Sequence, residues 1–265
     1  MKGEITSYFD VAQVTLWMFW IFFAGLILYL LRENKREGYP LESDRSAHVT
    51  VQGFPAIPAA KTYILPHGGT QSAPRKESDS RPLKAEPVAA WPGAPLVPTG
   101  NPMLVGVGPG SWTERADQPD LTAGGKERIV PLRADGSYHL ETRDPDPRGM
   151  QVIGADGLVG GTVVDVWVDR SEALIRYLEV AVAGATKDAE GKPLEPKRVL
   201  LPMTFSRIDS SSRRVNVKSI LADQFTAVPT LRSPLRVTRR EEDRICAYYG
   251  AGTLYATPAR AEPLI

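Results

Sequence analysis

Residues 11–31 have the sequence VAQVTLWMFWIFFAGLILYLL, an apolar run that contains no charged side chain. In an α-helix these residues would span about 31 Å, which is the thickness of the hydrocarbon layer of a bilayer. No later stretch of the sequence is comparable in length and hydrophobicity. The run therefore predicts a single transmembrane helix, followed by about 230 residues outside the membrane.

A cleaved signal peptide is the alternative interpretation of an N-terminal apolar run. Glu4 and Asp10 offset Lys2, so the basic segment of a signal peptide is missing, and no small-x-small cleavage site ends the run. We therefore expect the helix to be retained in the mature protein. Aromatic side chains suited to the membrane–water interface flank it: Tyr8, Phe9 and Tyr29.

Basic residues follow the apolar run directly, at Arg32, Lys35 and Arg36. The positive-inside rule then places the long C-terminal portion in the cytoplasm and about ten N-terminal residues in the periplasm. We expect these three side chains, with Tyr39, to lie at the membrane interface. There the cations would meet lipid phosphates or acidic partner residues, each contributing about 1 kcal/mol near an anionic surface.

The composition excludes several classes of function. The chain has 32 basic and 31 acidic residues, so no basic excess is available to neutralise a nucleic acid backbone. The single cysteine, Cys246, cannot form an internal disulfide and fits a reducing cytoplasm. Three scattered histidines, His48, His67 and His139, show no metal-ligand spacing. The glycine-rich stretch at 106–110 lacks the flanking strand and helix of a phosphate loop, so we interpret it as a turn.

The sequence divides by composition into four predicted segments. Residues 1–38 form the N-terminal tip and anchor, and residues 39–150 hold 16 of the 23 prolines. A disordered linker is one interpretation of such a segment. It also carries large aromatic residues, which are scarce in linkers, so we favour an extended, irregular segment ordered by packing on other proteins. Residues 151–235 and 236–265 complete the division.

Short strands and one helix are predicted in the last two segments. The β-branched run at 158–168, LVGGTVVDVWV, follows an Asp156-Gly157 turn, which indicates a hairpin. Alternating stretches at 176–182 and 215–217, together with the apolar run at 199–201, predict a small antiparallel β-barrel. Thr238 and Glu241 form a capping box that opens a short helix, which Gly250 and Gly252 are expected to end.

Several short sequence motifs, taken in order, resemble the H subunit of the purple-bacterial photosynthetic reaction centre. Each motif alone is weak evidence for this family, but the order and spacing of the motifs across nearly the whole chain are specific. The motifs are FWIFFAGLILYL (19–30), REGYPLE (36–42), KTYILPHG (61–68), NPMLVGVGPGSW (101–112), VVDVWVD (163–169), YLEV (177–180), LLPM (200–203), EED (241–243) and LYA (254–256).

The resemblance implies one transmembrane helix, an extended segment and a cytoplasmic barrel of the type named after this subunit (the PRC-barrel). It implies a chain that binds no pigment itself, caps the L and M subunits, stabilises the quinone region and helps to conduct protons to the secondary quinone. The complex is expected to hold bacteriochlorophyll, bacteriopheophytin, quinones and a non-haem iron in L and M. Light-harvesting polypeptides, a cytochrome subunit and lipids are further expected partners, in the bacterial inner (chromatophore) membrane.

The resemblance also assigns candidate site residues. Glu172 matches an internal glutamate near the quinone and is expected to relay protons, with Asp169 supporting it and Arg176 tuning it. From the residues alone, the alternative interpretation of residues 169–172 is a purely structural one, the end of a strand and the cap of a helix. Relatives carry histidines for proton uptake where this chain has 119–126, which contains none. Asp120 remains as an uptake carboxylate or as an ordinary exposed loop residue.

Two other classes of function stay open at this point. Barrels of this type occur in soluble proteins that bind ribosomal components or other proteins, so a membrane-tethered adaptor or regulatory protein is the main alternative. The barrel region, residues 151–235, has 11 basic and 10 acidic residues, a bias too weak to support RNA binding. We expect no enzyme, because no nucleophile–base pair or metal cluster can be assembled from the sequence.

Overall fold

The computed structural model describes residues 10–42, 50–75, 81–91, 93–184 and 195–261. The chain forms two compact units, one of Met1–Ser80 with Trp91–Gly93 and one of Arg81–Ala90 with Ala94–Ile265. Tyr8, Phe9, His48 and the predicted periplasmic tip, apart from Asp10, lie outside the described residues.

The first unit contains the predicted membrane helix, α1 (Val11–Glu33), which confirms one long apolar helix near the N-terminus. The Asp10 carboxylate caps it by accepting a hydrogen bond from the Gln13 amide at 2.7 Å. A 3₁₀ turn, Asn34–Arg36, continues the helix. No residue of α1 is buried by the rest of the chain, so its apolar surface is available to lipid or to other membrane helices.

Two short antiparallel pairs follow α1 in the first unit. β1 (Leu41–Glu42) pairs with β2 (Thr50–Val51), and β3 (Lys61–Ile64) pairs with β4 (Thr70–Ala73). Lys61 fastens the β3–β4 hairpin to the end of α1, since its Nζ lies 2.6 Å from Glu33 Oε2 and 5.7 Å from the centre of the Tyr29 ring. The proline-rich segment thus has local order here.

The second unit is built on a seven-stranded sheet, beside a separate pair of β5 (Ala85–Pro87) with β6 (Leu96–Pro98). The sheet strands are β7 (Ile129–Pro131), β8 (Gln151–Ile153), β9 (Val159–Asp169), β10 (Leu174–Val182), β11 (Arg198–Pro202), β12 (Ser206–Asp209) and β13 (Arg214–Val217). Their order is β11-β10-β9-β8-β13-β12, and β7 pairs with the end of β9. The proposed segment boundary at 150 stays a prediction, although β7 precedes it and belongs to this sheet.

The sheet is not purely antiparallel, which corrects the sequence prediction. β8 and β9 form the predicted hairpin around Gly157, but β8 also pairs in parallel with β13. The parallel pair joins residues 151–153 to residues 214–216, so a distant strand supplies it rather than a local turn. Local alternation predicts strands but carries no signal for the direction of such a remote partner.

The helix α2 (Arg239–Tyr255) begins at the predicted capping box, in which Thr238 and Glu241 exchange hydrogen bonds. It does not end at Gly250 or Gly252, which corrects the predicted end. A Cβ on Gly252 would lie 2.4 Å from the Ser219 carbonyl oxygen, and one on Gly250 would lie 2.5 Å from the Pro109 oxygen. Both glycines therefore allow neighbouring backbone to approach the helix closely instead of terminating it.

The core lies between the sheet and α2, and it includes Trp167, Leu178, Phe225 and Tyr249. In β9 five successive residues, 165–169, are buried, so both faces of this strand end are covered and two aspartates are enclosed. Asp165 pairs across the strands with Glu179, and the Arg133 guanidinium bridges the two buried carboxylates. Arg198 lies 3.2 Å from the second Glu179 oxygen.

Candidate functional site

The turn that joins β9 to β10 positions the principal candidate residues. The fully buried Asp169 ends β9, and its Oδ1 accepts hydrogen bonds from the backbone amides of Ser171 at 2.8 Å and Glu172 at 3.1 Å. Ala173 adopts a positive φ of 51°, and the chain returns directly into β10. The alternative interpretation of a strand end is correct, but the side chain caps a turn and no helix follows.

Arg176 therefore lies on a strand and not one helical turn after Glu172. It still reaches both carboxylates, because β10 runs back alongside β9. Its Nε lies 3.1 Å from Asp169 Oδ2, and its Nη2 lies 3.4 Å from Glu172 Oε2. The predicted contact is present, with a different backbone geometry.

Arg128, which sequence reasoning missed, joins all three candidate carboxylates. Its Nε lies 2.8 Å from Asp169 Oδ2, its Nη2 lies 2.5 Å from Glu172 Oε1, and its Nη1 lies 3.4 Å from Asp120 Oδ2. Strand pairing positions it: Ile129 of β7 is the partner of Asp169 in β9. We call the five residues Asp120, Arg128, Asp169, Glu172 and Arg176 the Arg128 cluster. Its three acids and two arginines give a formal net charge of −1.

The members of the cluster differ sharply in burial. Asp169 is completely enclosed, whereas the side chains of Glu172 and Asp120 are 47% and 39% exposed. Burial alone would raise the pKa of Asp169, but hydrogen bonds from Arg128, the two turn amides and Arg176 outweigh it and hold that pKa below its ordinary value. Asp169 is therefore ionised at neutral pH, whereas about half of the Glu172 side chain stays in contact with water.

A second missed group lies beside the cluster on the first turn of α2. The Tyr177 hydroxyl donates a hydrogen bond of 2.8 Å to Glu242 Oε2. Burial raises the pKa of Glu242, and the nearby charge of Asp120 adds to this, while the Tyr177 hydrogen bond and Arg176 oppose it. Burial also raises the pKa of Cys246, one turn further along. Glu242 belongs to the EED motif at 241–243, yet only the fold places it next to the cluster.

The predicted interface residues lie in the first unit, and the structure corrects the expected environment of two of them. Arg32 and Tyr39 keep exposed surface, but Lys35 and Arg36 are buried. Arg36 binds Glu33 at 2.9 Å and the carbonyl oxygens of Ala59 and Ala73. Lys35 donates to the Gln52 carbonyl at 2.5 Å and lies 5.0 Å from the Tyr39 ring centre. Both cations are held by the chain itself, because buried charges need internal partners.

Two family models match this sequence. The model of the photosynthetic reaction centre H-chain N-terminal region matches residues 3–134, and the PRC-barrel domain model matches residues 140–224. The first region contains α1 together with Asp120 and Arg128, and the second contains Asp169, Glu172 and Arg176. The Arg128 cluster is thus assembled from both matched regions. The chain belongs to the H subunits of the photosynthetic reaction centre.

Proposed function

We propose that this chain caps the cytoplasmic face of the L and M subunits, holds the quinone region in shape and conducts protons to the secondary quinone. Membership of the H-chain family implies association with the reaction centre and, together with α1, a membrane location. The orientation in this proposal has the N-terminus in the periplasm and the barrel in the cytoplasm. The pigments, quinones and non-haem iron would be bound by L and M.

The Arg128 cluster is the observation that carries the proton-conducting role. Quinone reduction needs two protons, and a path for them requires titratable groups that connect solvent with the protein interior. The cluster offers two carboxylates with exposed surface, Asp120 and Glu172, next to the enclosed carboxylate of Asp169. Exposed groups exchange protons with water, while enclosed groups fix the geometry around them.

The roles within the cluster follow from burial and charge. Asp169 stays ionised, so it serves to orient Arg128 and Arg176 and does not itself carry protons. Glu172 is the proposed relay: its carboxylate sits between the two arginines at 2.5 and 3.4 Å and is only half covered by this chain. A docked L or M surface would remove the remaining water from Glu172, and such desolvation favours protonation of a carboxylate.

A path could continue through Glu242 and Tyr177. Their hydrogen bond of 2.8 Å links a carboxyl group of raised pKa to a hydroxyl, which are the two kinds of group that pass protons along a chain. Antenna polypeptides, a cytochrome subunit and interfacial lipids complete the proposed partners. They would contact α1, whose apolar surface the described chain leaves uncovered.

The substitution Glu172→Gln tests this proposal in the assembled complex. It keeps the shape and the contact with Arg128 but removes the proton-carrying group. We expect the proton-coupled second electron transfer to the quinone to slow several-fold, with initial charge separation unchanged, in flash spectroscopy over a range of pH. Glu141→Gln, an exposed acid outside the cluster, is the matched control. Second-transfer kinetics equal to those of the control at every pH would remove Glu172 from the path.

A simpler measurement tests membership of a pigmented complex directly. The chain is purified in mild detergent through a C-terminal tag, and its near-infrared absorption is recorded. Bacteriochlorophyll and bacteriopheophytin bands that bleach and recover after a flash are expected. A colourless preparation from photosynthetically grown cells, with the complex intact, would instead support the tethered-adaptor function.

A further inference from the structure

A basic cleft lies on the second unit, away from the Arg128 cluster. It has a volume of about 470 Å³ and is formed by the β12–β13 hairpin and residues at the C-terminal end of α2. Three of its lining residues are cationic, Arg207, Lys218 and Arg260, and none of the described residues that line it is acidic. This is unusual in a chain whose basic and acidic residues are nearly equal in number. A concentration of one charge within a concave surface attracts ligands of the opposite charge.

Strand register explains why the charges converge. Arg207 of β12 lies directly opposite Asn216 of β13, so their side chains share one face of the hairpin. Lys218 comes two residues after Asn216 and, by the alternation of a strand, continues on the same face. Arg207 and Lys218 are both exposed, and neither has an ion-pair partner among the described residues.

The third cation is fixed in place by backbone oxygens. Arg260 donates hydrogen bonds to the carbonyl groups of Ser219 at 2.7 Å, Gly252 at 2.6 Å and Lys218 at 2.9 Å. Its charge offsets the partial negative charge at the C-terminal end of α2, which would otherwise repel an anion. The potential of the cleft is therefore set by Arg207 and Lys218.

We propose that this cleft binds the phosphate group of a phosphate ester. Arg207 and Lys218 supply the charge, and the Asn216 amide donates a hydrogen bond. A phosphate has three accessible oxygens and a charge of up to −2, so it matches several donors better than a carboxylate does. Phe205, which also lines the cleft, offers an apolar surface for the organic part of the ester. A phospholipid headgroup and a soluble phosphate ester share this chemistry.

Protection of Lys218 from amine acylation, followed by mass spectrometry, tests the proposal on the full chain. The chain is placed in nanodiscs made of a galactolipid, which has no phosphate, and glycerol 3-phosphate or inorganic phosphate is added at constant ionic strength. Parallel nanodiscs contain phosphatidylglycerol and no soluble phosphate. Exposed Lys84 is the internal reference for the reaction rate. Selective protection of Lys218 by the soluble probes indicates a soluble ester, and protection by phosphatidylglycerol alone indicates a lipid headgroup.

Protection in neither preparation would overturn the proposal. Titration calorimetry with glycerol 3-phosphate or phosphatidylglycerol, whichever protects, then measures affinity in variants. Arg207→Gln/Lys218→Gln should bind about tenfold more weakly or worse, since charge-assisted hydrogen bonds are lost. The matched control Lys84→Gln/Arg143→Gln removes two exposed cations outside the cleft and should bind normally. Equal losses of affinity in both double variants would show that binding depends only on non-specific charge, and they would refute the site.

The outcome of these tests does not depend on the reaction-centre function, because the assays require no partner subunit.

Discussion

The substitution Arg128→Met removes the residue that holds the Arg128 cluster together. Its main partner is the fully buried carboxylate of Asp169, which loses one of two guanidinium partners. Removing the only partner of a buried charge costs about 3–5 kcal/mol. Asp169 keeps Arg176 and two backbone amides, so we expect the free energy of unfolding to fall by about 2 kcal/mol at neutral pH.

The pH dependence of this loss has a definite sign. In the native chain the pKa of Asp169 lies below its ordinary value, so its stabilising contribution is present above that value and disappears as the pH falls through the native pKa. Without Arg128, fewer hydrogen bonds oppose the effect of burial on the Asp169 carboxylate, so the pKa of Asp169 rises. Folding of the variant then releases fewer protons at mildly acidic pH than folding of wild type, so the stability difference from wild type becomes smaller as the pH falls towards about 4.

Urea unfolding of the full chain in detergent micelles, followed by circular dichroism of the sheet, measures this difference at several pH values. Arg143→Met is the matched control, because Arg143 is exposed and outside the cluster. The double variant Arg128→Met/Asp169→Asn should be less destabilised than the two single changes predict, since the unpaired charge is gone. A loss under about 0.5 kcal/mol at neutral pH, or one that grows as the pH falls, would refute this account of the cluster.

Two further changes test the packing of the barrel. Gly252→Ala should lower the free energy of unfolding by about 1–3 kcal/mol, because its Cβ would lie 2.4 Å from a backbone oxygen; thermal unfolding checks this, and a gain of about 1 kcal/mol from helix propensity alone would show that the neighbouring chain yields. Arg133→Met should cost about 3 kcal/mol or more in urea unfolding, since it leaves two buried carboxylates without their bridge, and a neutral result would mean that Arg198 suffices for both.

The features that the sequence predicted well depend on neighbours along the chain. The uncharged apolar run at 11–31 determined α1, and the three-residue spacing of Thr238 and Glu241 determined the start of α2. The β-branched run at 158–168 likewise identified β9. In each case the interactions that form the element are local, so the pattern carries enough information.

The features that the sequence missed depend on remote partners. Gly252 lies inside α2, where it allows the Ser219 backbone to approach the helix closely. No local sequence pattern indicates that approach. Arg128 is 41 residues from Asp169, and only the pairing of β7 with β9 brings them together. The signal that could have identified Arg128 is the strand register, in which a basic residue next to a short apolar strand lies opposite a strand that ends in aspartate. Such a pairing can be recognised only once the strand order is known.

The β9–β10 hairpin carries two ionic clusters, and their contrast separates structure from function. In the cluster of Asp165, Glu179, Arg133 and Arg198, two acids balance two arginines and both carboxylates are buried. Trp167 Nε1 adds a hydrogen bond of 3.0 Å to Glu179. A closed, neutral network of this kind serves to lock strands together. The Arg128 cluster has one acid in excess and two carboxylates with exposed surface. That difference, and not the number of charges, is the reason that the proton-conducting role proposed above is assigned to the Arg128 cluster and not to the neutral one.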